Sequence, residues 1–250
     1  MEQTSGLPET GSEGPFTPPD GETVVVGRRR WVGLVAAVLA ISIGSVVGII
    51  LAVSNRKSAP VATLKPGWVR FGFATKGFGI DLPPGWKAVP ATSADEQYKA
   101  LKDANPKLAA LVRDQGNSGA SSLIALLAYD VNSPTLVRDF ATNVTIAVVP
   151  LPNGTDLDTF VNDNVKQLRS VPEVAASIET QRLELPAGPA ALITSHFTSN
   201  APGGSQISAN TQYLLLRGSR GYIVSFSTLP SSLGGYAPLF NEIAREFRFV

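Results

Sequence analysis

The one histidine of the 250-residue chain, His196, directly follows Ser195. A serine beside an imidazole base is the pairing of nucleophilic hydrolysis, in which the base takes the hydroxyl proton during attack. That chemistry needs both side chains on the same side of the backbone. Adjacent residues of a strand point to opposite faces, so this spacing argues for a structural histidine on a half-exposed strand. Asp156 with Asp158, and Asp95 with Glu96, are close carboxylate pairs. Such pairs could do acid–base work or hold a cation. Both sit at predicted helix starts, where negative charge is favoured by the helix dipole. Cysteine is absent, which excludes disulfides, thiolate catalysis and Cys-ligated zinc or iron–sulfur clusters. No phosphate-binding loop and no metal-ligand spacing is found. The residues predict a protein that is not an enzyme and has no catalytic, cofactor-binding or metal-binding residues.

The elements that carry these residues are organised by an unusual charge distribution. Charged residues make up 16% of the chain, against about 25% in an average protein. The net charge of +1 gives no general attraction to nucleic acid, and none is expected as a partner. Residues 1–30 begin with Gly, Pro, Ser, Thr and five acids, then end on Arg28, Arg29 and Arg30. This composition predicts a disordered tail. Thr23, after Asp20 and Glu22, and Thr17, before Pro18, are candidate phosphorylation sites in it. Residues 31–53 carry no charge. As a helix of about 35 Å they would cross a hydrocarbon core of about 30 Å. The competing reading is a signal peptide cleaved near Ala52-Val53-Ser54, but the apolar run is longer than such peptides use. The arginine cluster before the span predicts a cytoplasmic N-terminus and an extracytoplasmic C-terminal domain of a single-pass cell-membrane protein.

Within the span, Ala36, Ala40, Gly44, Gly48 and Ala52 recur every fourth residue. They place small side chains on one helix face, suited to association with a second copy or another membrane helix. A linker is predicted over 54–74 and a single domain over 75–250. The domain carries 14 basic and 15 acidic residues, with no run of like charge.

Periodicity in the domain predicts the order ββ-αα-ββ-α-ββββ-α. Strand 77–82 meets the turn signal Pro83-Pro84-Gly85, and 86–89 is its expected hairpin partner. Ser93-x-x-Glu96 predicts a capping box, and Asn105-Pro106 a second helix start closed by Gly116. Strands are expected over 122–129 and, half-buried, over 143–149. The helix after Thr155 or Asp156 has Leu157, Phe160, Val161, Val165 and Leu168 at helical spacing. Four strands and a last helix over 236–247 follow. The predicted core comprises Trp86, Ile146, Phe160, Leu168, Ile193, Val224, Phe240 and Ile243. Asn143-Val-Thr145 and Asn153-Gly-Thr155 spell glycosylation sequons, relevant only in a eukaryotic secretory pathway. Short turns between consecutive strands predict an α+β domain, its mostly antiparallel sheet flanked by helices.

This order, together with Phe78-Gly79-Ile80-Asp81-Leu82-Pro83-Pro84-Gly85-Trp86 at its start and Phe247-Arg248-Phe249 at its end, resembles the PsbP-like fold. It is particularly similar to the actinobacterial LpqN/LpqT lipoprotein group, over about residues 70–250. That group is anchored through a lipidated cysteine, for which the span 31–53 would substitute. The resemblance implies a non-enzymatic binding or accessory domain with a protein partner in the cell envelope, and no catalytic residues. The alternative expectation is a carrier or sensor that holds an apolar envelope lipid or glycolipid in a cleft between sheet and helices.

Overall fold

Alternating residues become strands through most of the domain. The computed structural model describes residues 63–89, 94–114, 123–172, 174, 177–201 and 204–250. Its strands are β1 (Val69–Phe73), β2 (Phe78–Leu82), β3 (Trp86–Val89), β4 (Ile124–Asp130), β5 (Asn143–Pro150), β6 (Glu179–Leu185), β7 (Gly188–Ala201), β8 (Gly204–Arg217), β9 (Arg220–Thr228) and β10 (Arg248–Phe249). Its α-helices are α1 (Ala94–Leu101), α2 (Pro106–Asp114), α3 (Leu157–Arg169) and α4 (Pro230–Arg245). The tail, the span with Ala36, Ala40, Gly44, Gly48 and Ala52, and the candidates Thr17 and Thr23 lie outside the described residues, as do Ser93 and Gly116. No helix among the described residues is long and apolar enough to cross a membrane.

A seven-stranded sheet runs in the order β3-β4-β5-β9-β8-β7-β6, and a three-stranded sheet in the order β1-β2-β10. All their pairings are antiparallel, which agrees with the expected α+β class. The first face of the large sheet is covered by α4 and the small sheet. Ile146, Val224, Tyr213 and Trp86 meet Phe78, Ile80, Leu82, Phe240 and Ile243 there. Phe78 stacks between Phe73 and Phe247, with ring centroids 4.8 and 5.5 Å away. The second face is covered in two places. Phe160, Val161 and Leu168 of α3 pack on Ile193, Leu214 and Ile223. Leu101, Leu108 and Ala109 of α1 and α2 pack with Leu127 and Tyr129 of β4. All eight residues of the predicted core are buried.

Four local expectations are corrected. Val69–Phe73 lies in the segment read as linker, yet it is a strand, held by pairing to β2 and by Arg70 on Asp81. Val69, Phe71 and Phe73 alternate with Arg70 and Gly72, which is itself a strand pattern that the linker reading passes over. β2 and β3 are not hairpin partners: they belong to different sheets. The Trp86 N–H does close a turn on the Pro83 carbonyl at 3.2 Å, with Gly85 at φ +85°. The proline at the second and the glycine at the third turn position fit type II, which does not carry the strand twist of a tight hairpin. β5 is buried on both sides rather than half-buried, because it is a central strand between two covered faces. The last helix starts at Pro230 rather than near Tyr236. Gly234, Gly235 and Pro238 disfavour helix, whereas Pro230 at its first turn favours it.

Candidate functional site

The second face of the large sheet changes character along its strands. Beneath α3 the cross-strand row Ala147, Ile223, Leu214 and Ala191 is apolar. Two rows further along, Tyr129, Asn143, Ser227, Asn210 and Ser195 lie opposite one another across β4, β5, β9, β8 and β7. Between these rows, Thr145, Ser225 and Gln212 continue the polar surface. Four inter-strand spacings give this seam a length of about 19 Å. Asn143, Asn210, Ser195, Thr145, Ser225 and Gln212 are all buried, and Ser227 is half-buried.

Part of the seam is satisfied internally. Asn210 Nδ2 donates to Ser225 Oγ at 3.1 Å and to Ser227 Oγ at 3.0 Å. Asn143 Nδ2 donates to the Ala141 carbonyl at 2.9 Å, so its sequon is buried and unsuited to carry a glycan. Other groups are not satisfied. Tyr129 Oη, Ser195 Oγ, Asn164 Oδ1 and both amide atoms of Gln97 are buried without a hydrogen-bond partner among the described residues. Asn164 sits on the Phe160–Leu168 stripe of α3, and Gln97 lies one turn before Leu101 on α1. Both stripes face the sheet. Buried polar groups are nearly always hydrogen-bonded, so these groups mark a surface with unspent binding capacity.

The seam named here contains no charged residue. Burial pushes the Tyr129 phenol up in pKa, so it remains a neutral hydroxyl at ordinary pH. The arrangement can donate and accept hydrogen bonds to an uncharged group. It offers no general acid or base titrating near neutrality.

Of the chemically suggestive residues of the sequence, Ser195 lies in the seam, whereas His196, Asp156, Asp158 and Glu96 fall elsewhere. Ser195 is buried and His196 half-buried on opposite faces of β7, as the alternation predicts. Asp156 caps α3, its Oδ1 accepting from the Thr159 N–H at 2.7 Å, and that hydrogen bond lowers its pKa. Asp158 pairs with Arg182, and Glu96 is exposed. No group of metal-binding residues forms among the described residues. The most buried carboxylate, Asp81, is held by Arg70 and Arg248 at 2.9 and 2.7 Å. The seam itself was missed in the sequence. Its trace is the period-two polar series Ser208, Asn210, Gln212 on β8 and Ser225, Ser227 on β9, which reads as a solvent face.

No family model matches the chain, and no curated protein matches it. Among solved structures, cyanobacterial PsbP (CyanoP) from Synechocystis sp. PCC 6803 aligns with 78% of this chain and 98% of its own, at 11% identity and a TM-score of 0.48. LpqN, involved in cell envelope biogenesis of Mycobacterium tuberculosis, aligns with 74% of this chain and 86% of its own, at 10% identity and a TM-score of 0.43. At these identities the likeness is one of fold.

Proposed function

We propose that this protein is a membrane-anchored, non-enzymatic binding or accessory domain that serves a cell-envelope complex. In this reading the span 31–53 anchors the chain, the tail is cytoplasmic and the domain is extracytoplasmic. The small-residue face of the span joins a second copy or a partner helix, and Thr17 and Thr23 are phosphorylated. The observation that supports a binding role is the buried polar seam between sheet and helices, with the unpartnered groups of Gln97, Tyr129, Asn164 and Ser195. Its neutral amides and hydroxyls suit hydrogen bonding to an uncharged group.

The seam also bears on the alternative of a carrier or sensor. It occupies the sheet–helix interface where a lipid cleft was expected. An acyl chain laid along it would leave amides and hydroxyls unpaired, at a cost in desolvation. A polar headgroup would satisfy them. The carrier reading is therefore favoured for the polar part of a glycolipid rather than its apolar part.

Proximity labelling from the domain in native membranes tests the proposal. Neighbours labelled by the wild-type chain are expected to be lost when Asn164→Leu and Ser195→Ala are combined, with circular dichroism unchanged. An identical set of neighbours in wild type and variant would overturn a binding role for the seam.

A further inference from the structure

We propose that the α1–α2 hairpin is a detachable cover over the β4 end of the seam. Its function as an entrance rests on the seam being a binding site, whereas the opening itself stands on local packing. Leu101, Leu108 and Ala109 seal this corner and are fully buried. Gln97, one turn before Leu101 on α1, is fully buried as well, and neither its Nε2 nor its Oε1 has a hydrogen-bond partner among the described residues. Tyr129, below, buries a phenol that likewise has no partner among the described residues. Docking the hairpin therefore strips water from three polar atoms and gives them no partner among the described residues in return.

The adjacent corner of the same domain shows the contrast. Ser133, Thr135, Thr142 and Thr228 are buried too, yet their hydroxyls are linked at 2.6 to 3.0 Å, and Tyr236 Oη joins Ser133 Oγ at 2.8 Å. Polar burial is thus matched where α4 closes the sheet and unmatched where α1 does. Undocking hydrates Gln97 and Tyr129 while the matched network stays intact. The pivot is Asn105, between the two helices. Its Nδ2 donates to the Val131 carbonyl at 2.6 Å, and its Oδ1 accepts from the Leu108 N–H at 3.0 Å. The first bond ties the turn to the chain just after β4 as the apolar face of the hairpin lifts, and the second caps α2 and keeps the turn itself in shape.

Elements that undock at low free energy expose their residues without global unfolding. The chain contains no cysteine, so a single introduced thiol reports its own accessibility. Ala109→Cys, beneath α2, and Ala128→Cys, on the α4 side of β4, are to be compared in the full chain with a water-soluble maleimide. Labelling of the Ala109→Cys variant is expected at least about tenfold faster. Adding Gln97→Leu is expected to slow it about tenfold, the ratio for a change of about 1.4 kcal/mol in opening free energy, and to leave the Ala128→Cys rate unchanged. Hydrogen exchange of the unsubstituted chain gives an independent reading: amides of α1 and α2 should lose protection at least about tenfold faster than those of β5 and β9. Equal labelling rates, equal protection, or a Gln97→Leu variant that opens as readily as its parent would overturn the proposal. No ligand enters these measurements, so a seam that binds nothing would leave the cover standing, and a rigid hairpin would leave the seam's binding role standing.

Discussion

Arg248 donates from Nη1 to the Asp81 carboxylate at 2.7 Å, its guanidinium lying directly over Gly79. This contact joins the two sequence segments on which the fold resemblance rests. β10 supplies Arg248 and β2 supplies Asp81, while Arg70 of β1 grips the same carboxylate from Nε and Nη2 at 3.0 and 2.9 Å. The small sheet is thus cross-linked by one acid between two guanidiniums. A Cβ at Gly79 would come within 3.1 to 3.2 Å of the Arg248 guanidinium, so a larger residue there would push that guanidinium aside by a few tenths of an ångström.

Asp81→Asn is expected to lower unfolding free energy by about 2–3 kcal/mol, the range for hydrogen bonds to charged groups whose buried partner is removed. Both arginines remain partly exposed, and so rehydrate rather than being left as buried unpaired charges. Urea unfolding with an unchanged slope and a lower midpoint is the expected readout.

The same carboxylate gives the stability a pH dependence. Burial pushes the Asp81 pKa up, and hydrogen bonds and charge from Arg70 and Arg248 more than reverse that push, leaving it below the ordinary value. The unfolded chain therefore binds the proton more readily than the folded one. The stabilisation is complete above the unfolded pKa of about 3.9 and is lost as pH falls through the folded value. Stability curves of wild type and Asp81→Asn should converge between about pH 5 and the folded pKa; a gap of constant size would contradict this.

Gly221 leaves the space that the Phe160 ring of α3 fills against the sheet. A Cβ there would meet the Phe160 ring at 2.5 Å and Val149 at 2.9 Å. Gly221→Ala should cost about 1–3 kcal/mol through overpacking. Pairing it with Phe160→Leu should cost less than the sum of the two single changes, because the smaller side chain relieves the clash. Strict additivity in denaturant unfolding would contradict the contact.

Apolar spacing made the core legible. Phe160 and Leu168 at helical intervals, and Ile146 and Val224 on alternating strands, are each buried where periodicity places them. Caps were equally legible, since Asp156 and Asn105 act through their own local backbone. Sheet membership was not. Pro83-Pro84-Gly85 specifies a turn, but whether the strand after it pairs backwards or joins another sheet depends on β4 and β10, distant in sequence. The seam was obscured for a related reason. Asn210 and Gln212 are residue types usually found on a solvent face, and only the tertiary placement of α1, α2 and α3 turns them inward.

The spacing of Gly44 and Gly48 motivates a prediction for the anchor. Close approach of two helices requires small side chains at the crossing. Gly44→Ile is expected to abolish or strongly reduce chemical crosslinking of the full chain in membranes, whereas Ile49→Ala, outside the small-residue series, should leave it intact. Equal crosslinking of the Gly44→Ile variant and the parent would rule out association through this face.

Ser195 separates a binding role for the seam from a purely structural one. Its hydroxyl is fully buried and unpartnered among the described residues, so the folded protein gains little from it. Removing an unsatisfied buried hydroxyl is neutral or stabilising, by up to about 1 kcal/mol. Ser195→Ala is therefore expected to keep or raise the urea midpoint, while Asn210→Ala, which removes the donor to Ser225 and Ser227, should lower it by about 1–2 kcal/mol. A substantial loss of stability in Ser195→Ala would mean that the hydroxyl serves the fold, and would remove Ser195 from the binding surface. Retained stability combined with lost envelope neighbours would assign it to recognition.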